Sequence, residues 1–363
     1  MIGAGIIGCA VAFELAEAGA RVRVIDARTP GAGASQASAG VLAPYIEGHG
    51  SPLLRALGRR SLDLYPSFVA RVVAASSQPV EFDRIGTLEV VTSPDDRLRF
   101  DRAAGGLPGE GIETHWIDGA RLAEFEPNLA PHVVGGRQIP LHAVVHVPAL
   151  TAALAAAATR RGVEFSTGTP ASRLSQDGEA IAVHTPDDVF RARAVVMAAG
   201  TWAPGLVPAG SSPLPVRPVR GQLLHLAAPP RTIRHVVWGA DVYLVPWRDG
   251  TVFAGATSEE VGFDERNTAA GVAGLLDAAI ALVPALAGAT FLEARRGLRP
   301  ASADDLPFVG RSAVLPGLIY ACGHYRNGAL LAPLTAELVA RLAAGDDGDD
   351  ALQTLAPARA GRL

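Results

Sequence analysis

Two groups of residues in this chain have types and spacings that do chemistry. In GHYRNGALLAP (323–333), His324, Tyr325, Arg326 and Asn327 stand between Gly323 and Gly328, ahead of an apolar, helix-like run ending near Leu342. A helix N-terminus offers unbonded backbone N–H groups and partial positive charge, so a helix beginning here is a site for an anion. At the other end, Gly3, Gly5 and Gly8 stand in G-x-G-x-x-G spacing, and Asp26 follows 18 residues after Gly8. Gly3 permits a tight turn, Gly5 lets backbone approach a pyrophosphate, and Gly8 lets a helix pack on a strand. Asp26 ends a Val/Ile-rich segment, where an acid accepts hydrogen bonds from a ribose hydroxyl. Triplet, helix, strand and acid together predict dinucleotide binding.

These groups need a scaffold. The first strand of a dinucleotide-binding unit precedes the triplet and lies centrally in its sheet, yet only Met1 and Ile2 precede Gly3. The spacing therefore points to a start placed a few residues late or to a truncated record, with a severe loss if the strand is absent. The segment 31–44, GAGASQASAGVLAP, has no helix-forming pattern. Its Ala34, Ser35, Ala39 and Gly40 suit a path beside a pyrophosphate and an isoalloxazine ring, which favours a flavin over a nicotinamide.

Further elements follow from pattern. Residues 51–75 read as a helix, and 82–93 alternate. A glycine- and proline-punctuated region runs to about 145. A helix stops at Gly162 behind Arg160 and Arg161. Strands flank a turn at Pro186-Asp187-Asp188, and alternating strands from about 215 to 293 enclose a helix over 269–283. The expected fold is α/β, a mixed α+β arrangement in which a Rossmann-like FAD-binding domain (1–50, 145–215 and 294–345) is interleaved with a mixed β-sheet substrate domain (51–144 and 216–293). The acidic, then small and polar tail 346–363 is expected to be disordered.

Composition closes off other functions. The 363 residues are 49% hydrophobic with net charge −4, which gives no electrostatic case for nucleic acid or an anionic membrane. All 32 basic residues are arginine, so a Schiff-base lysine and a Walker A loop are both excluded. Cys9 and Cys322 are too few for a disulfide framework or a structural zinc site, and a reducing cytoplasm fits them. The N-terminus lacks a basic n-region and Glu14 interrupts its apolar segment, so export is not expected. His142 and His146 stand four apart without a flanking cysteine or carboxylate; no metal site is expected.

Eight segments in order, IGAGIIG…D, ASAGVLAP, VVMAAGTW, RPVRGQ, VYLVP, FAGATSEEVGFD, GLRPASADDLPFVGR and GHYRNGALLAP, span nearly the whole chain. Together they resemble the D-amino-acid-oxidase (DAO) family of flavoproteins, and most nearly its glycine oxidase branch associated with thiamine biosynthesis. The resemblance implies non-covalent FAD and oxidative deamination of glycine, sarcosine or a small D-amino acid. Hydride leaves Cα for flavin N5, the imine hydrolyses, and oxygen becomes peroxide. It implies catalytic roles for Arg299, which pairs with the substrate carboxylate, Tyr243, which hydrogen-bonds it, and Arg326 nearby. The implied cofactor contacts are Gly3, Gly5, Ile6, Ile7, Gly8, Asp26, Ala27, Ala34, Ser35, Ala39, Gly40, Val41, Ala171, Gly200, His324, Tyr325, Arg326, Asn327, Gly328, Ala329 and Leu330. The 323–330 loop would face the flavin edge that gains negative charge on reduction.

Two departures bear on substrate size. Many relatives carry a tryptophan where EARR precedes GLRP, and some have bulkier apolar residues at Val41 and Ser258. Cys322 reads as a small packing residue rather than a flavin tether. The expected partners are a small amino acid and oxygen, with homo-oligomerisation allowed. The alternatives are a flavin dehydrogenase handing electrons to a quinone or carrier protein, a nicotinamide dehydrogenase, and a non-catalytic flavin-binding protein.

Overall fold

Two residues stand where the sequence expected a longer strand. In the computed structural model, which describes residues 1–47, 51–93, 97, 111–229 and 231–363, Ile2 bridges in parallel to Ile25 on one side and Met197 on the other. Four backbone hydrogen bonds hold it: Ile2 N to Val196 O (2.9 Å), Gly3 N to Ile25 O (2.9 Å), Ile25 N to Met1 O (2.9 Å) and Ala198 N to Ile2 O (2.8 Å). The sheet therefore runs unbroken through Glu164–Ser166, Arg23–Ile25, Ile2, Val195–Met197, Leu318–Cys322 and Phe308–Arg311. Ile2 thus occupies the place of the expected first strand, bonded to Arg23–Ile25 on one side and Val195–Met197 on the other.

Helices Ile6–Glu17, Pro52–Ser76, Val147–Arg160 and Gly328–Ala343 pack into one core with this sheet. Their ends are specified locally. The Ser51 hydroxyl accepts from Leu54 N (3.2 Å) ahead of Pro52, and the His146 ring accepts from Ala149 N (3.2 Å) ahead of Pro148. A three-stranded antiparallel sheet, Arg173–Asp177, Ala180–His184 and Val189–Ala192, contributes to the second core together with the other side of the parallel sheet.

A second sheet has eight strands in the order Thr290–Ser302, Val216–Ala227, Thr251–Gly255, Tyr243–Pro246, Val236–Trp238, Thr87–Val91, Gly135–Ile139 and His115–Asp118. Its pairs are antiparallel except Val236–Trp238 with Thr87–Val91, and helix Ala269–Leu282 packs on it. The domain boundary expected at 294 falls inside one continuous strand. The ladder from Val216↔Ser302 to Ala227↔Thr290 carries that strand through, so Arg299 belongs to the large sheet. The punctuated region before about 145 lies partly outside the described residues.

The tail is the other correction. Residues 346–363 form helix Asp350–Thr354 and a 3-10 turn, Pro357–Ala360, instead of a disordered end. Asp349 caps the helix through Ala351 N (2.9 Å) and pairs with Arg60 (2.8 Å) and Arg341 (2.7 Å). Arg359 lies 3.8 Å over the Phe308 ring and pairs with Asp304, while Leu352, Leu355 and Leu363 are buried. Two of the acidic residues that suggested disorder, Asp346 and Asp349, instead form ion pairs, and Asp349 also caps the helix.

Candidate active site

At the nucleotide end, geometry is set by what a Cβ would strike. Gly3 has φ +102°, and a Cβ there would come 2.3 Å from Ala198 O; one at Gly8 would come 2.0 Å from Gly3 O. The turn and first helix are thus packed backbone against backbone, which only glycine allows. Gly5 is the helix N-cap and has no side-chain cap, while Ile6 N donates to Ser35 Oγ (2.9 Å). The Asp26 carboxylate accepts from Ala4 N (2.6 Å) and Arg28 N (2.7 Å), one on each oxygen. Each oxygen has two lone pairs, so acceptor capacity remains for a ribose.

Gly5 and Asp26 line a cavity of ≈ 380 Å³ that also receives the other end of the chain. Gly323 (φ +78°) and Tyr325 (φ +47°) turn the backbone into the 3-10 turn Tyr325–Asn327 and then helix Gly328–Ala343. Gly328 and Ala329, the first residues of this helix, line the cavity. The N-termini of two long helices therefore converge on one space, each with backbone donors and partial positive charge.

The third contribution comes from the large sheet. Arg299 extends over the neighbouring strand, where a Cβ on Gly221 would lie 2.2 Å from its guanidinium. Its Nη1 donates to Thr257 O (3.0 Å) and Arg220 O (3.5 Å), and among the described residues no carboxylate lies within ion-pair distance. Tyr243 stacks on Trp238 with centroids 4.6 Å apart, and its hydroxyl faces Gly255, where a Cβ would come within 3.0 Å. Arg326 is exposed, lies 5.2 Å over the Tyr325 ring, and reaches Ser258 Oγ at 3.4 Å. Arg299, Tyr243 and Arg326 all line the cavity.

Comparison with known proteins identifies the family. The family model described as FAD dependent oxidoreductase matches residues 1–342. The chain belongs to that family. It is 34% identical over 344 residues to glycine oxidase of Geobacillus kaustophilus, covering 94% of this chain and 91% of that one. The crystal structure of that glycine oxidase superposes with TM-score 0.94, covering 98% of this chain and 96% of the other. The bifunctional protein ThiO/ThiG of Nostoc is 37% identical over 359 residues, 97% of this chain; the chain spans 53% of that relative's length.

The cofactor of the family is FAD, and the residues present fit it. The glycine frame allows backbone to approach a pyrophosphate, and Asp26 keeps acceptor capacity. The Thr201 hydroxyl is buried without a hydrogen-bond partner among the described residues, in a residue that lines the cavity. Orphaned buried hydroxyls are uncommon, and a polar cofactor atom would complete this one.

Of the residues expected at the site, Gly3, Gly5, Ile6, Ile7, Asp26, Ala27, Ala34, Ser35, Ala39, Ala171, Gly200, His324, Tyr325, Gly328 and Ala329 line the cavity with the three catalytic candidates. Gly8, Gly40, Val41, Asn327 and Leu330 do not line it. Gly8 backs the turn, and a Cβ on Gly40 would strike Val145 O. Val41 pairs with Val144 in a strand, and Leu330 and Asn327 are buried. His324 bonds Thr335 Oγ1 through Nε2 (2.9 Å), and burial lowers its pKa to about 3, so it is neutral and brings no cation to the site. His142 bonds Thr87 (2.7 Å), and Cys322 is buried with its thiol pushed up to about 12. Sequence reasoning missed Gly221 and Thr257, which line the cavity. RPVRGQ and FAGATSEEVGFD contain them, but their role depends on which strands become neighbours.

Among the described residues no helix is long and apolar enough to cross a membrane.

Proposed function

We propose that the protein oxidises the Cα–N bond of a small amino acid, glycine, sarcosine or a small D-amino acid, with oxygen as acceptor and peroxide as product. The observation that carries this reading is Arg299: a cation in the cavity that, among the described residues, is bonded only to carbonyl oxygens. A permanently charged, planar guanidinium suits a carboxylate held in two parallel bonds. Such a charge-assisted bond contributes about 1.5–3 kcal/mol. Tyr243, which lines the same cavity from another strand of the large sheet, supplies a hydroxyl for the same carboxylate, and Arg326 adds charge at the exposed side.

FAD, when bound, takes two electrons from the substrate and passes them to the acceptor. The chain's part is to orient and tune. Arg299 and Tyr243 fix the carboxylate, which restricts where Cα can lie. The N–H groups at the start of Gly328–Ala343 favour negative charge in the cavity. Gly3, Gly5 and Asp26 hold the nucleotide end in this reading, with Ser35 fixing the helix start. With the amine arriving neutral, no acid–base side chain is needed. The likeness to the bifunctional protein ThiO/ThiG also supports the expected place in thiamine biosynthesis.

The test is the visible spectrum of the purified holoenzyme without oxygen, before and after adding glycine, sarcosine or D-alanine. Bleaching that returns with peroxide on admitting air is the expected result. Bleaching that air does not reverse would replace the oxidase with a dehydrogenase. A flavin that ignores every amino acid would overturn the reading.

A further inference from the structure

Behind Arg299 lies a bonded group that meets the cavity at Thr257, while its other members, Arg220, Gln222 and Glu259, do not line it. Thr257, whose carbonyl takes Arg299 Nη1, follows the strand Thr251–Gly255 and is fixed from three sides. Its N–H donates to Gln222 O (3.2 Å), its hydroxyl accepts from Gln222 N (2.8 Å), and the same hydroxyl donates to Glu259 Oε1 (2.6 Å). Glu259 Oε1 also accepts from Gln222 Nε2 (2.8 Å), and Oε2 accepts from Arg220 Nη2 (2.6 Å). The backbones of Arg220 and Glu259 bond reciprocally, N to O at 2.9 and 3.0 Å. Arg220 is 3% exposed and Gln222 0%.

The carboxylate of Glu259 is thus the node through which a buried arginine, a buried amide and the Thr257 hydroxyl are joined. Each of these partners belongs to the strand under Arg299 or to the segment that accepts its bond. A guanidinium on a long side chain has many rotamers, and among the described residues the Thr257 and Arg220 carbonyls and the position over Gly221 define where it stops. The Arg220 bond, first among the causes, holds Glu259 down to about 2, so its charge is constant over any ordinary assay range.

We propose that Glu259 is a positioning residue for substrate: through Thr257 it fixes the guanidinium of Arg299 where a substrate carboxylate docks. This rests on the reading that Arg299 binds that carboxylate. Coupling of this kind between groups in one network is worth factors of a few to about a hundred. Removing the Glu259 carboxylate therefore raises KM about tenfold while kcat changes less than about twofold and FAD stays bound.

The experiment uses the holoenzyme and the fastest of glycine, sarcosine and D-alanine, with four proteins: wild type, Glu259→Ala, Arg299→Ala and the double variant. KM, kcat, flavin content and Tm are measured for each, with assays run below the lowest Tm. Glu259→Ala should raise KM in the wild-type background and add less than about twofold once Arg299 is gone, since it then has nothing to position. Glu259→Gln, which keeps one acceptor oxygen for the Thr257 hydroxyl, should recover part of the loss. An unchanged KM in Glu259→Ala beside a large rise in Arg299→Ala would overturn this proposal alone. The same rise in both backgrounds would also overturn it, by showing that Glu259 acts independently of Arg299. If Arg299→Ala leaves KM unchanged, or no amino acid is oxidised, the carboxylate reading fails and this inference with it. A variant that loses Tm and flavin together, with kcat falling as KM rises, would assign Glu259 a structural role only.

Discussion

The two ends of the cavity present positive charge by different means. At the nucleotide end the positive field is backbone: helix N–H groups, with glycines whose Cβ would strike main-chain atoms. At the sheet end it is a side chain, Arg299, whose head is bounded by a carbonyl and by the empty space above Gly221. A backbone site has no freedom to relax around a substitution, because the obstructing atom is itself fixed in a turn. A side-chain site can be displaced without unfolding anything. The first end should therefore fail by losing fold and cofactor together, and the second by losing affinity while the flavin remains.

The largest expected effect is at Gly8. A Cβ there would meet Gly3 O at 2.0 Å and Gly3 C at 2.9 Å, both main-chain atoms of the turn. Overpacking of this kind costs about 1–3 kcal/mol or more. Gly8→Ala should lower Tm and yield protein without bound flavin, read from the ratio of visible to ultraviolet absorbance. A holoenzyme of normal Tm would show that the turn relaxes after all, and the contrast between the two ends would disappear.

Arg299→Ala comes next. Removing one partner from a buried charge pair costs about 3–5 kcal/mol, which is a factor of about a hundred or more in affinity. KM should rise by that factor with flavin content at wild-type level. Kinetics within a few-fold of wild type would remove Arg299 from the site. Gly221→Ala sharpens the comparison further. The three nearest atoms its Cβ would meet, 2.2–2.4 Å away, belong to the Arg299 guanidinium. The flexible side chain can yield, so stability should hold while KM rises about tenfold. Equal loss of Tm and affinity would mean that the sheet, rather than the arginine, gives way.

The same contrast explains what could be read from the sequence. Gly3, Gly5, Gly8 and Asp26 were legible because the constraint is local: one turn, one helix and one strand lie within 26 residues, and sterics dictate the residue type. The start of the helix at Gly328 was legible for the same reason. Gly221 and Thr257 were not, since their role depends on the pairing of Val216–Ala227 with Thr290–Ser302 and Thr251–Gly255. Nothing in RPVRGQ says that its glycine lies beneath an arginine 78 positions later. The tail misled because composition records charge but not partners. Asp349 reads as part of an acidic run, yet it is a helix cap facing two arginines.

The smallest effect concerns His324, which lies between the two ends and contributes to neither field. Its ring is buried against Thr335, and desolvation lowers its pKa to about 3, below the usual value near 6.5 in an unfolded chain. For a histidine with a depressed folded pKa, the unfolded chain binds the extra proton between those values. Stability is therefore complete above about pH 6.5 and falls as pH drops toward 3. Between about pH 8 and about pH 6 the loss from this group is about 1 kcal/mol. Glu89, raised to about 7 by burial, titrates in the same region with the opposite sign, so the wild-type slope alone does not isolate the histidine. The difference between wild type and His324→Gln does, because Glu89 is common to both and glutamine can keep a bond to Thr335. Urea unfolding at the two pH values should show the wild type losing about 1 kcal/mol more than the variant. Parallel pH dependence in the two proteins would mean that His324 takes up its proton as readily in the folded state as in the unfolded chain. The cavity would then gain a further cation as pH falls, and its division into a backbone end and a side-chain end would be incomplete.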